Sequence, residues 1–194
     1  MSSDRIRVAV IIGSVRKGRL GPTIANWFVG IAGQREDLQI DLVDLADYDL
    51  PNRLTDEPGP ELAETLGKIS PRLAAADAFV VVTPEYNHSY PGSLKSLIDW
   101  HTVEWHAKPV AFISYGGQAG GIRAVEHLRP IFSEAHATTI RQTVVFHQPW
   151  DQFDENGELR NPTGAESAAK SLLDQLAWWA GALVEWKARH PYGG

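Results

Sequence analysis

A chain of 194 residues is enough for one domain with a proper core and short for two. Hydrophobic residues are 43% and charged residues 22% of it, which excludes a disordered or low-complexity chain. The formal net charge of −6 argues against nucleic acid as a partner, because that affinity comes from Lys and Arg replacing counterions, and the absence of cysteine removes disulfides, zinc knots and thiol catalysis.

Strand and helix patterns alternate along the chain. Ile6 to Gly13, "IRVAVIIG", is a continuous β-branched run, as in a central parallel strand covered on both faces. It is too short to cross a bilayer and lacks a signal-peptide cleavage pattern, and no other segment approaches that length, so a cytoplasmic protein without membrane contact is expected. A helix is predicted from about Pro22 to Gly33, with Ile24, Trp27, Phe28 and Ile31 at helical spacing. Residues 38 to 45 alternate like a strand with one more exposed face, and the Pro-, Asp- and Gly-rich stretch from 49 to 60 reads as a surface loop. A helix from about Glu61 to Ala75 precedes the apolar strand 78 to 84, and another helix opens after Pro91 and Gly92. Residues 108 to 117 form a fourth strand, followed by a helix from about Gly121 to Ala135 that Pro130 interrupts or bends. Residues 138 to 146 supply a fifth strand, 148 to 164 a polar loop, and Ala165 to Arg189 a closing helix.

Five strand-helix units predict an α/β fold with a parallel sheet and helices on both faces, because parallel neighbours need crossover connections. The number fits a flavodoxin-like sheet of order 2-1-3-4-5, formed by a single domain over residues 1–194. Such sheets bind ligands outside the carboxyl ends of their strands. Three unusual loops fall at that edge.

In "GSVRKGRLGPT" (13 to 23), Gly13, Gly18 and Gly21 permit tight turns, Ser14 and Thr23 bring hydroxyls, and Arg16, Lys17 and Arg19 bring cations beside a helix N-terminus. That is a setting for a phosphate, although neither G-x-x-x-x-G-K-[ST] nor G-x-G-x-x-G is present; the plain alternative is a βα turn with solvated arginines. In "PEYNHSYPG" (84 to 92), aromatic faces and a turn at Asn87 and Ser89 that exposes backbone amides suit a flat heteroaromatic ligand such as flavin. The alternative is that Tyr86 and Tyr90 pack on the next helix. In "SYGGQAGG" (114 to 121), Gly116, Gly117, Gly120 and Gly121 let the main chain approach a ligand plane beside Tyr115 and Gln118, or serve packing alone.

Together "GSVRKGR", "PEYNHSYPGSLKSLIDW" and "YGGQAGGIRAVEHLRPIF" closely resemble the NADPH-dependent FMN reductase family, which includes quinone, azo-dye and metal-ion reductases. The resemblance covers about residues 5 to 146, and P-E-Y-N…P-G…L-K…I-D-W is its specific part. It implies bound FMN, NADPH or NADH as substrate, a small acceptor and a homodimer or homotetramer with the helix after Pro91 at the interface. Carried over, Ser14 and Arg16 hold the FMN phosphate with help from the 18 to 23 turn, including Gly21. Pro84, Glu85, Tyr86 and Asn87 line the isoalloxazine ring with Ser89 nearby, and Tyr115, Gly116 and Gly117 border its other edge. The chain reads "KGRLGPT" where many members have a serine and then an asparagine, and Thr23 is the substitute candidate.

Cofactor chemistry of this kind needs no side-chain nucleophile or base, so no catalytic residue is named. Backbone amides of the 84 to 89 turn are expected to bond the ring's heteroatoms. Two rivals stand beside this reading. A non-enzymatic flavodoxin-type electron carrier shares fold and FMN, but the cationic first loop speaks against it. A metal site built from His88, His101, His106 and His127 is disfavoured, since His101 and His106 are five apart and share no helix face. Trp100 and Trp105 fit a subunit contact or core aromatics, and Trp178, Trp179 and Trp186 cannot all face one core.

Overall fold

The computed structural model describes residues 5–193. Strands β1 (Ile6–Ile12), β2 (Leu38–Asp44), β3 (Ala78–Pro84), β4 (Pro109–Gly116) and β5 (Thr138–His147) form one parallel sheet in the order β2-β1-β3-β4-β5. This is the flavodoxin-like order expected from the unit count. The helices are α1 (Gly21–Ala32), α2 (Pro60–Ala75), α3 (Gly92–Trp100), α4 (Ile122–Glu134), α5 (Pro149–Gln152) and α6 (Pro162–Arg189).

Period-two alternation divides the core between the two faces of the sheet. Val8, Val10 and Ile12 of β1 with Val80 and Val82 of β3 pack against α1 and α6, while Ala9, Ile11, Phe79 and Val81 pack against α2, α3 and α4. Both faces are covered, which is why β1, β3 and β4 read as unbroken apolar runs. Residues 51–60 are exposed and carry no strand, as expected of a surface loop.

Three expectations need correction. Pro130 does not interrupt α4, which runs through it to Glu134. The polar stretch from 148 to 164 holds α5 and an antiparallel bridge between Phe153 and Leu159, and α6 begins at Pro162 rather than Ala165. A proline in the first turn costs no helix hydrogen bond, so "NPTG" opens the helix instead of ending the loop. Of the two readings of Trp105, core packing holds, since it is wholly buried against Phe79 and Phe132, while Trp100 Nε1 donates to Pro51 O at 2.7 Å. In α6, Trp178 and Trp186 are exposed.

Candidate functional site

The carboxyl ends of β1, β3 and β4 open onto one cleft of about 300 Å³. Of the residues singled out in the sequence, Ser14, Arg16, Gly18, Arg19, Pro84, Glu85, Tyr86, Tyr115, Gly116 and Gly117 wall it. Volume alone does not pick it out, since a cleft beside α1 lined by Thr23, Trp27 and Asn156 holds about 400 Å³. The chemistry of the wall does.

At the end of β1, Gly13 N donates to Val82 O at 2.9 Å and Ser93 Oγ donates to Gly13 O at 2.6 Å, which fixes where the chain leaves the sheet. Ser14 is fully buried, with its Oγ 2.5 Å from Tyr86 Oη. Beyond it, α1 starts without a side-chain cap and without an acidic residue in its first turn. Its first amide hydrogen bond runs from Ile24 to Leu20, which leaves the Gly21 and Thr23 amides unbonded among the described residues. The helix end is therefore open to an anion.

The three cations of this loop are not equivalent. Arg19 forks onto both carboxylate oxygens of Asp44 at 2.6 Å and donates to Ser14 O at 2.5 Å. Hydrogen bonding to Asp44 holds the guanidinium above its ordinary value, against the opposing effect of burial. Arg19 thus braces the loop against the end of β2. Arg16 is exposed and has no acidic partner among the described residues. Thr23 faces the neighbouring cleft near Gly157, so the substitution proposed for the missing serine and asparagine has no support in its position.

After β3, Tyr86 and Ser89 exchange main-chain bonds of 2.8 and 3.0 Å around Asn87 (φ 48) and His88 (φ 74). Two successive left-handed residues make a type I′ turn, to which Asn is suited and His is not. Closing the turn uses the Tyr86 and Ser89 amides, and Glu85 N already donates to Tyr115 O at 3.1 Å. Among the amides of residues 85 to 89, only those of Asn87 and His88 have no acceptor among the described residues, fewer than the sequence suggested. Neither Asn87 nor Ser89 walls the cleft, and Ser89 Oγ instead bonds His127 Nδ1 at 3.0 Å.

The glycines after β4 divide in the same way. Gly120 (φ 57) and Gly121 (φ 86) have no room for a side chain: a Cβ on Gly120 falls 2.5 Å from Val145 Cγ1, and one on Gly121 falls 2.8 Å from Tyr115 N. They serve the turn itself. Gly116 and Gly117 face the cleft. Gly21 does not line it, but a Cβ there would lie 3.1 Å from Tyr115 Oη.

Two buried side-chain polar atoms lack a hydrogen-bond partner among the described residues, Tyr115 Oη and Glu85 Oε2. Both belong to the cleft wall. Buried polar groups are almost always paired, so an orphan at a cleft points to a missing partner. Glu85 is tied through its other oxygen to Arg123 of α4. Burial pushes the Tyr115 phenol above its ordinary value, so it is a neutral donor over the physiological range.

The sequence reading missed Pro149 and Trp150, which complete the wall from α5, with Trp150 56% exposed. An aromatic immediately after the last strand, at the ligand-binding edge, was the available signal. His101 is buried and bonded at both ring nitrogens, to Leu97 O at 2.8 Å and Ser70 Oγ at 3.0 Å.

Comparison with known proteins adds the lineage. Residues 6–151 match the model of the NADPH-dependent FMN reductase family. An NAD(P)H-dependent FMN reductase of Schizosaccharomyces pombe is 43% identical over 123 residues, which are 59% of this chain and 60% of that one. The chain therefore spans about three fifths of that relative's length. A probable NADPH:quinone oxidoreductase of Oryza sativa is 33% identical over 188 residues, 91% of this chain and 90% of that one. The flavoenzyme FerB, an NAD(P)H:(acceptor) oxidoreductase of Paracoccus denitrificans, shares the fold with a TM-score of 0.71 at 24% identity, covering 91% of this chain and 98% of its own. The chain belongs to the NADPH-dependent FMN reductase family.

Proposed function

We propose that the chain is an FMN-dependent oxidoreductase that draws hydride from NADPH or NADH and reduces a small acceptor, such as a quinone, an azo compound or free flavin. The observation that carries this reading is that both orphaned buried polar atoms lie in the wall of one cleft, at the switch point of the sheet. The residues fit the cofactor. Ser14, the exposed Arg16 and the open amides of α1 suit its phosphate. Pro84, Glu85 and Tyr86 wall the ring side with Asn87 and Ser89 in the adjoining turn, and Gly116 and Gly117 allow close approach from β4.

When bound, FMN supplies the hydride-accepting ring, and the chain supplies position and electrostatics. The Glu85–Arg123 pair clamps the β3 loop to α4, and the Arg19–Asp44 fork fixes the phosphate loop to β2, so the wall is preorganised. Trp150 gives the open side an aromatic face against which a planar acceptor or a nicotinamide can stack. The electron-carrier alternative is not favoured, since the matched relatives carry enzyme names. We further propose that the chain works as one flavin-binding domain, as a homodimer or homotetramer, in the cytoplasm; light scattering tests the oligomer. No helix among the described residues is long and apolar enough to cross a membrane.

The test is the visible spectrum of the purified protein, with FMN added if it is colourless and NADPH then added anaerobically. Bleaching of a flavin band within seconds supports the reductase reading. A bound flavin that stays oxidised sinks it, and so does failure to bind FMN.

A further inference from the structure

Tyr115, expected to border the flavin ring, walls the cleft, and its hydroxyl reaches beyond it toward α1. Ile113 and Tyr115 alternate onto the face of the sheet that packs on α1, and the phenol ends beside the first residue of that helix. The hydroxyl is close enough to Gly21 that a single Cβ there would approach it to 3.1 Å, and Ile12 Cγ2 to 2.8 Å. A glycine at this position leaves space for the hydroxyl group that no other residue would leave.

The surroundings explain why a hydroxyl is placed there. The end of α1 has no side-chain cap and two unbonded amides, Arg19 is occupied by Asp44, and Thr23 faces another cleft. Ser14, which also walls the cleft, shares a 2.5 Å hydrogen bond with Tyr86 Oη that uses one of the two hydroxyl hydrogens and leaves the other free. Tyr115 is 6% exposed and its Oη has no partner among the described residues, so a buried phenol donor lies unused beside the helix end.

We infer that the Tyr115 hydroxyl is a buried donor of the anion site at the N-terminus of α1, where it takes an oxygen of a phosphate monoester, and that it sets the preference for a phosphorylated flavin over an unphosphorylated one. The inference rests on the proposed FMN reading for the identity of the ligand, though the anion site itself does not. Tyr115 acts beside Ser14 and the helix amides, while Arg16 supplies the exposed charge. The phenol stays protonated because burial disfavours the phenolate.

Dissociation constants of FMN and riboflavin, measured by flavin fluorescence quenching on apoprotein, test this with Tyr115→Phe against the wild type. A hydrogen bond to a charged group is worth roughly a 10- to 100-fold change, so FMN affinity should fall by about that factor while riboflavin affinity holds. Equal losses for both flavins would place Tyr115 at the ring and overturn the inference, as would an unchanged FMN constant. If the wild-type chain binds neither flavin, the FMN reading falls and inorganic phosphate decides the anion site. A phosphate-dependent rise in Tm that Tyr115→Phe lacks upholds the site, and no rise in the wild type, or an equal rise in both, ends it.

Discussion

At the amino edge of the sheet, buried polar groups are closed in pairs. Lys108 Nζ donates to Leu73 O at 2.9 Å and Ala74 O at 3.0 Å, at the end of α2. His101 bonds at both nitrogens; Leu97 O can only accept, so Nδ1 carries a proton, and Nε2 shares a hydrogen bond with Ser70 Oγ. At the carboxyl edge, Tyr115 Oη and Glu85 Oε2 are buried without partners among the described residues, where amides of α1 and of the Asn87 turn likewise lack acceptors. One edge is closed by bonds within the chain, and the other holds buried polar atoms with no partner among the described residues. The difference locates function more sharply than cleft size does.

The comparison breaks if the carboxyl edge is simply loose, and the largest effect addresses that. Gly121 holds φ 86, and a Cβ there would meet Ser114 Cβ and Tyr115 N at 2.8 Å. Gly121→Ala should cost about 3 kcal/mol in urea unfolding, from backbone strain and overpacking together. A cost below about 1 kcal/mol would mean a yielding edge, in which orphaned atoms say nothing.

His101→Phe probes the closed edge. It keeps an aromatic ring, somewhat larger, at this site but strands the buried Leu97 O and the half-buried Ser70 Oγ, so a loss of about 2 kcal/mol is expected from the same urea titration. Near-neutral behaviour would show that pairing at this edge does not contribute to stability.

How much of this was legible in the sequence depended on distance along the chain. β1, β3 and β4 announced themselves because both their faces are covered, and the three loops followed from where those strands end. Arg19 was counted with Arg16 because its partner, Asp44, lies at the end of another strand and no local pattern joins them. Trp105 had two readings, subunit contact or core, until the 3₁₀ turn Val103–Trp105 placed it under α2 and α4. That Tyr115 shares a face with Ala111 and Ile113 was readable from strand alternation. Its closeness to Gly21 was not, because that depends on how α1 docks.

Lys108 gives the amino edge a pH signature. Burial lowers its pKa to about 8, with Lys187 nearby adding to the effect, while the unfolded chain titrates near 10.4. Between these values the unfolded state binds more protons, so stability rises with pH across that window. The two carbonyl acceptors favour the charged form and trim the gain, which should be about 1 kcal/mol from pH 8 to 10. Lys108→Met should flatten that rise, read as unfolding midpoints at each pH. A slope that persists in the variant would assign it to other groups.

The smallest effect is the most telling, because it is the matched counterpart of His101→Phe. Tyr115→Phe also deletes a buried polar group in favour of a phenyl ring, but here no partner is lost. The hydroxyl contributes only a desolvation cost to the apoprotein, so the variant should match the wild type within about 0.5 kcal/mol or exceed it slightly at pH 7. Alkali then separates the two. A phenol whose folded pKa is raised contributes stability that is intact below its unfolded value near 10 and is lost as the pH rises beyond it, a loss that the Phe variant escapes. If Tyr115→Phe instead cost as much as His101→Phe in the apoprotein, the hydroxyl would have a partner within the chain, and the two edges would no longer differ in kind.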